Sequence, residues 1–312
     1  MELQAFGLIN WLVLGAYLCA NIVLGFVLSK KVTTADDFFV GQRNIPWWAI
    51  GISVVATYVS ALSFLGGPAW AYTEGLSVIA IHLNYPLVIF IVVAFFLPFF
   101  FNSGVASIYE YLEKRFGPTS RSLIAAIFLV SQTLTSAAVL YATALVLEFI
   151  TGMPVIYAII IITLIALIYT IMGGLAAVIW TDVIQALILL VGALIITVSL
   201  INNLSLPLGE TLEILKAEGK TNPLNFSFDT TQVSTVWTGV IAMTLFHITV
   251  YGANQMMVQR TLASKNIGDA KKSFLMMGYF AIFVYFLFFL LGILFYSYYG
   301  GRDFDNGNTI IL

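Results

Sequence analysis

Apolar runs of about twenty or more residues recur along the chain, each long enough to cross the ~30 Å hydrocarbon core of a bilayer as a helix. The pattern predicts eight spans, at about 6–29, 46–73, 78–104, 120–150, 154–172, 175–202, 233–260 and 273–300. Two polar connections carry structure of their own. VASIYEYLEKRFG, 105–117, sets Val105, Ile108, Tyr109 and Leu112 on one side of a helix and Glu110, Glu113 and Lys114 on the other. That predicts an interfacial helix ended by Gly117-Pro118. The segment 203–232 contains the short amphipathic stretch TLEILKAE, and Asn203 and Asn225 each open an N-x-S tripeptide within it.

Composition agrees with the pattern. The chain is 61% hydrophobic and 9% charged, against about 25% charged in a soluble domain. Its single cysteine, Cys19, lies in the first apolar run, so no disulfide framework exists. The first run is too long, and its leading Glu2 too acidic, for a cleaved signal peptide. With the N-terminus outside, the inner connections and span ends hold Lys30, Lys31, Arg43, Lys114, Arg115, Arg121, Arg260, Lys265, Lys271 and Lys272. The outer ones hold only Lys216, Lys220 and Arg302. The positive-inside rule therefore predicts a multi-pass protein of the plasma (inner) membrane with its N-terminus outside.

Against this background a few polar residues stand out. The second span, ISVVATYVSALSFLGGPAWAY, carries Thr57, Ser60, Ser63, Gly66, Gly67 and Pro68 inside the membrane. The seventh, AMTLFHITVYGANQMMVQRTL, carries His247, Gly252, Asn254, Gln255 and Gln259. Small and polar residues also serve close helix packing. Yet the seventh span is the fifth after the second and runs the opposite way. Interrupted helices at matching places in inverted halves point to a transporter binding site, where unwound carbonyls coordinate a cation. Asp182 is the one charged residue between Glu148 and Glu210. A carboxylate at that depth costs roughly 2.5–3.5 kcal/mol on insertion scales. A cap near Gly173-Gly174 is its structural alternative, but Asp182 lies two turns beyond that turn.

Four collinear stretches carry a family resemblance: TADDFFVGQRNIPWWAIGISVVATYVSALSFLG at 34–66, SIYEYLEKRFG at 107–117, YTIMGGLAAVIWTDVIQ at 169–185 and YGANQMMVQRTLASKNIGDAKKS at 251–273. Together they resemble the sodium/solute symporter family, which includes sodium-coupled glucose, proline, sialic acid, iodide, monocarboxylate and vitamin transporters. The resemblance implies an all-α membrane protein with two inverted five-helix repeats (5+5) behind one extra N-terminal helix. The extra helix is then 6–29, the first repeat 46–202 and the start of the second 233–312, all within one transmembrane domain. Family members continue through further helices, so the second repeat is expected to be incomplete here. By the same resemblance, the carbonyls of Ala56 and Val59 hold the main sodium ion. Ser60, Ser63 and His82 face the substrate cavity, Asn254 contacts substrate from the opposite side, and Asp182 serves a second, inner sodium site. The arginine of sialic acid transporters falls at Thr135, which lacks the charge.

The expected function is sodium-coupled import of a small polar solute by alternating access. An organic anion is favoured by the likeness to the iodide, monocarboxylate and vitamin branch, with a sugar or polyol as the alternative. The expected partners are sodium as coupling ion, the solute and the lipid bilayer, with no nucleic acid and no further cofactor; oligomeric state stays open. A hydrolase would need a nucleophile with its base or a metal cluster. No G-x-S-x-G or H-E-x-x-H occurs, and two histidines with one cysteine make a poor metal site. A channel would also line its path with polar residues, but does not need two inverted broken helices. His247 reads as a packing residue. Three structural expectations follow: a backbone break near 56–63, convergence of His82, Ser60, Ser63 and Asn254 on one midplane cavity, and an inward-facing Asp182 left without its cation-site partners.

Overall fold

The computed structural model describes residues 6–30, 32–105, 107–229, 231–304 and 307–311; Lys31, one of the basic residues used for orientation, lies outside them. Every regular element among them is helical. In chain order the α-helices are α1 (Leu8–Ser29), α2 (Ala35–Val40), α3 (Trp47–Tyr58), α4 (Ala61–Glu74), α5 (Tyr85–Ile91), α6 (Leu97–Ser103), α7 (Ile108–Phe116), α8 (Pro118–Thr151), α9 (Val155–Asn202), α10 (Leu208–Ala217), α11 (Met243–Ile248), α12 (Gln255–Leu262) and α13 (Ile267–Tyr298). Five stretches are long and apolar enough to cross a membrane: Leu8–Ser29, Leu62–Ser103, Pro118–Thr151, Val155–Asn202 and Ile267–Tyr298. Two of these join neighbouring predicted spans. Within α9 the helix is broken at Gly174, whose φ of 58° and ψ of −151° are not helical. The predicted boundary between 172 and 175 lies at this break.

The last helix starts earlier than hydropathy suggests. Asn266 accepts a hydrogen bond from the Asp269 N–H and caps α13, so the helix begins at Ile267 rather than near 273. Hydropathy marks the oily part of a helix, whereas a capping side chain marks its first turn. The interfacial helix is α7, capped by Ser107 accepting from the Glu110 N–H and ended at Gly117, with φ of 88°. Its inner contacts differ in part from the predicted face: Tyr111 packs with Ile108, Val105 and Phe100, while Tyr109 meets the Phe128 ring.

Helix α13 is the hub. It packs on α3, α4 and α9, and its Phe274, Met277, Phe288, Leu291 and Ile293 are fully buried. Two glycines permit this approach. A Cβ on Gly51 would lie 2.7 Å from the Ser273 carbonyl oxygen, and one on Gly292 would collide with the Pro68 carbonyl oxygen. Helix α1 packs on α9, where Gly25 meets the Tyr169 backbone. Helix α8 turns large apolar side chains such as Leu123, Ile127 and Leu134 outward, as a lipid-facing span does.

At the far end of α4 the chain after α10 returns to seal the helix. The Lys220 ammonium donates to the carbonyls of Tyr72 (3.1 Å) and Thr73 (2.6 Å) and sits 4.4 Å from the Tyr296 ring centre. The Lys220 carbonyl accepts from the Leu76 N–H at 2.8 Å. A cation at a helix C-terminus is favourably placed against the helix dipole.

Candidate functional site

The second span is interrupted where its hydroxyl residues cluster. Helix α3 stops at Tyr58, Val59 (φ −82°, ψ 98°) and Ser60 (φ −108°, ψ 177°) are extended, and α4 starts at Ala61. Short polar side chains compete here with the helical ladder. Ser63 Oγ accepts from the Ser60 N–H (3.4 Å) and donates to the Tyr58 carbonyl (3.3 Å). The Ser60 N–H is thereby turned away from the Ala56 carbonyl, its helical partner. Among the described residues the carbonyls of Ala56 and Val59 are thus left outside the regular ladder.

The seventh span is interrupted more heavily than its sequence shows. Two wide π turns, Thr238–Ala242 and Thr249–Ala253, flank α11, and Asn254 (φ −83°, ψ 129°) is extended before α12. The signal for these turns was two glycines. A Cβ on Gly239 would collide with the Ala80 carbonyl oxygen, and one on Gly252 would fall 2.9 Å from the Phe96 ring. The α12 residues after the break are tied inward: Gln255 Oε1 accepts from the Ile108 N–H and Gln259 donates to the Phe39 carbonyl.

Between the two interruptions lies a cluster of rings. His82 stacks on Tyr285 with ring centres 3.9 Å apart and faces His247 at 6.1 Å. Tyr85 and Tyr251 pair through their hydroxyls at 3.4 Å, and Tyr251 also meets Tyr58. The Tyr285 hydroxyl interacts with Ser63, so Ser63 and His82 come together across Tyr285. His247 belongs to this cluster, packed against Tyr85 and Tyr251 as well as His82. Asn84 and the four tyrosines were missed, because aromatic residues are so frequent in this chain that none signals a site alone.

Ser63 and His82 thus approach each other, while Asn254 lies at the second break. Asn254 is engaged elsewhere: its side chain accepts from the Met256 N–H at 2.9 Å and caps α12. One cavity of about 180 Å³ is lined by Asp37, Asn44, Ala176 and Trp180, and a smaller one of about 10 Å³ by Phe96, Tyr251, Gly252 and Thr261. Neither of these two is lined by Ser60, Ser63, His82 or Asn254. Thr135 is exposed on α8 and donates to the Ser131 carbonyl of its own helix.

Asp182 faces into the bundle, but it is not orphaned. Its Oδ2 accepts from Ser53 Oγ at 2.6 Å and from Arg260 Nη2 at 3.1 Å. Arg260 also donates through Nε to Ser53 Oγ (3.0 Å) and through Nη1 to the Met256 carbonyl (3.2 Å). Arg260 is 8% exposed, so it is a buried partner and not an inner-surface charge of the kind counted for orientation. The interruption at Asn254 starts α12 in the register that carries Arg260 to Asp182.

Two interrupted helices on one α13-centred bundle, with released carbonyls at the first break and a buried ion pair beside it, define an integral membrane protein of the helical transporter class. The model of the sodium:solute symporter family matches residues 38–304, and the chain belongs to that family. It is 34% identical over 305 residues to the "Sodium/sialic acid symporter SiaT" of Proteus mirabilis (strain HI4320), covering 96% of this chain and 60% of that protein. It is 32% identical over 303 residues to the "Sodium/glucose cotransporter" of Vibrio parahaemolyticus, covering 91% and 54%. Human "Sodium-coupled monocarboxylate transporter 2" is 30% identical over 308 residues, covering 97% and 49%. A solved structure titled "Substrate-bound outward-open state of a Na+-coupled sialic acid symporter reveals a novel Na+-site" superposes with a TM-score of 0.90 at 32% identity, over 98% of this chain and 66% of that one. The chain thus spans about half to 60% of the length of the curated relatives it matches.

Proposed function

We propose that the protein imports a small polar solute, an organic anion, driven by sodium through alternating access. The observation that carries this reading is the break at Val59-Ser60, since released carbonyls suit a dehydrated cation and a continuous helix offers none. The carbonyls of Ala56 and Val59 hold the main sodium ion. Both side-chain hydrogen bonds to Asp182 fall on Oδ2, which leaves Oδ1 for a second, inner sodium ion. Ser60, Ser63 and His82 meet the solute from the α3–α4 side, with Asn254 opposite. Residues 6–29 form the extra helix, 46–202 the first repeat and 233–312 the start of the second, with the N-terminus outside in the plasma membrane. One elementary charge moving through 100 mV contributes ~2.3 kcal/mol, enough for one sodium ion to drive substantial accumulation.

The test is uptake into proteoliposomes holding the full-length protein, with external sodium replaced by choline. Loss of accumulation supports symport; accumulation unchanged in choline overturns it. A channel would equilibrate the solute in either medium without concentrating it.

A further inference from the structure

The buried amide of Asn84 bridges the Gly239 carbonyl and the His247 ring. Asn84 is 1% exposed. Its Nδ2 donates to the Gly239 carbonyl at 3.1 Å, at the first π turn of the seventh span. Its Oδ1 lies 3.0 Å from Nδ1 of His247. A carbonyl oxygen can only accept, so the atom of Asn84 facing Gly239 must be the NH₂ group. The atom facing His247 must then be the amide oxygen, which also can only accept. His247 therefore carries its proton on Nδ1, and in the neutral ring Nε2 is left with a lone pair. That nitrogen makes no hydrogen bond to another described residue. The ring lies against Tyr85 (5.0 Å), Tyr251 (5.7 Å) and His82.

His82 supplies the complementary half. Its Nδ1 is buried without a hydrogen-bond partner among the described residues. An orphaned acceptor is tolerated better than an orphaned N–H, which puts the His82 proton on Nε2. The ring pair thus presents one acceptor and one donor, set by the surrounding backbone and amide.

We infer that Asn84 is a positioning residue that locks His247 in its Nδ1–H form, so that the ring cluster accepts a hydrogen bond from a solute hydroxyl or N–H. This rests on the reading that the cluster lines the solute path. It selects among small organic solutes by chemistry: hydroxylated ones satisfy the Nε2 lone pair, and solutes with no donor, such as keto acids or halides, leave it unmet.

Both rings can be observed in the full-length protein by ¹⁵N-histidine NMR, with His82→Gln and His247→Gln assigning their signals. The expected spectrum places the His247 proton on Nδ1. A proton on Nε2, or on both nitrogens, overturns the inference. Adding lactate or glucose should shift the His247 Nε2 resonance, and adding pyruvate or iodide should not. A shift with the donor-free pair, or none with either hydroxylated solute, overturns the selectivity. Asn84→Leu should mix the two tautomers and raise KM for the hydroxylated solute about tenfold with kcat little changed; a pure Nδ1–H ring in that variant would mean Asn84 does not set it. Sodium replacement leaves the NMR result untouched, so failure of the symport reading and failure of this one are told apart.

Discussion

Arg260 Nη2 lies 3.1 Å from Asp182 Oδ2, and the two residues are bridged a second time by Ser53, which donates to the carboxylate and accepts from Arg260 Nε. This closed triangle joins α3, α9 and α12. Breaking a buried pair by removing one partner typically costs about 3–5 kcal/mol because a charge is stranded. Arg260→Gln should therefore lower the melting temperature of the purified full-length protein markedly. Adding Asp182→Asn should recover about 1 kcal/mol or more of that loss. Additive losses in thermal unfolding would show that the pair is not coupled. Asp182→Asn alone should lower sodium affinity or the steepness of sodium-dependent uptake.

Gly174 tests the backbone break in α9. Its φ is 58°, and a Cβ there would lie 2.6 Å from the Phe38 carbonyl oxygen. Gly174→Ala is expected to cost about 1–3 kcal/mol through strain and clash. Gly192, in the same helix, has open space for 4 Å around the place where a methyl would stand, and Gly192→Ala should stabilise by up to about 1 kcal/mol. Equal folded yields of the two variants in size-exclusion profiles would contradict this.

Asn254 separates capping from solute contact. Asn254→Ala removes the cap of α12 and should cost about 0.5–2 kcal/mol. Asn254→Asp keeps an acceptor for the Met256 N–H and should restore thermal stability. If Asn254 also contacts an anionic solute, the Asp variant will fold normally yet take up that solute with a raised KM. Normal uptake by a stable Asp variant would leave capping as its role.

Asp37 gives a pH dependence outside the membrane spans. Its Oδ2 accepts from Thr33 Oγ1 and from the N–H groups of Thr33 and Thr34. These bonds, the Thr33 hydroxyl first, hold its carboxyl below the usual value of 3.8. A depressed carboxylate stabilises the folded form above its unfolded value, and that contribution is lost as pH falls through the folded value. Amide exchange over residues 34–40 should therefore accelerate below about pH 3.8, and in Asp37→Asn it should be pH-independent over that window once intrinsic rates are subtracted.

Much of this architecture was legible in the sequence because a bilayer imposes a period and a length on every span. The break at 59–60 was visible as Thr57, Ser60 and Ser63 in an oily run, since hydroxyls that satisfy backbone groups locally mark where a helix can be left. Asp182 was visible because it was alone. Its partner was not: Arg260 sits among Lys265, Lys271 and Lys272 in sequence, and only the start of α12 at Gln255 turns it inward. The π turns escaped for a similar reason. Gly252 stood out in the sequence but Gly239 did not, and neither shows a wide turn until the Ala80 carbonyl and the Phe96 ring are seen against them. His247 was read as packing, and a span's periodicity could not show that its packing partners include His82.

Lys220 makes the connection after α10 more than a leash. Its ammonium closes the last turn of α4 and lies over the Tyr296 ring of α13, and its carbonyl takes the next free N–H. The end of α4 is thus completed by a residue far along the chain, much as a keystone completes an arch it does not belong to. Tilting α4 at this end would have to drag residues 218–222 along or tear three bonds at once. Loop and helix are mechanically one piece there, so a cut in the loop would be felt first as fraying of a helix some 150 residues earlier in the chain.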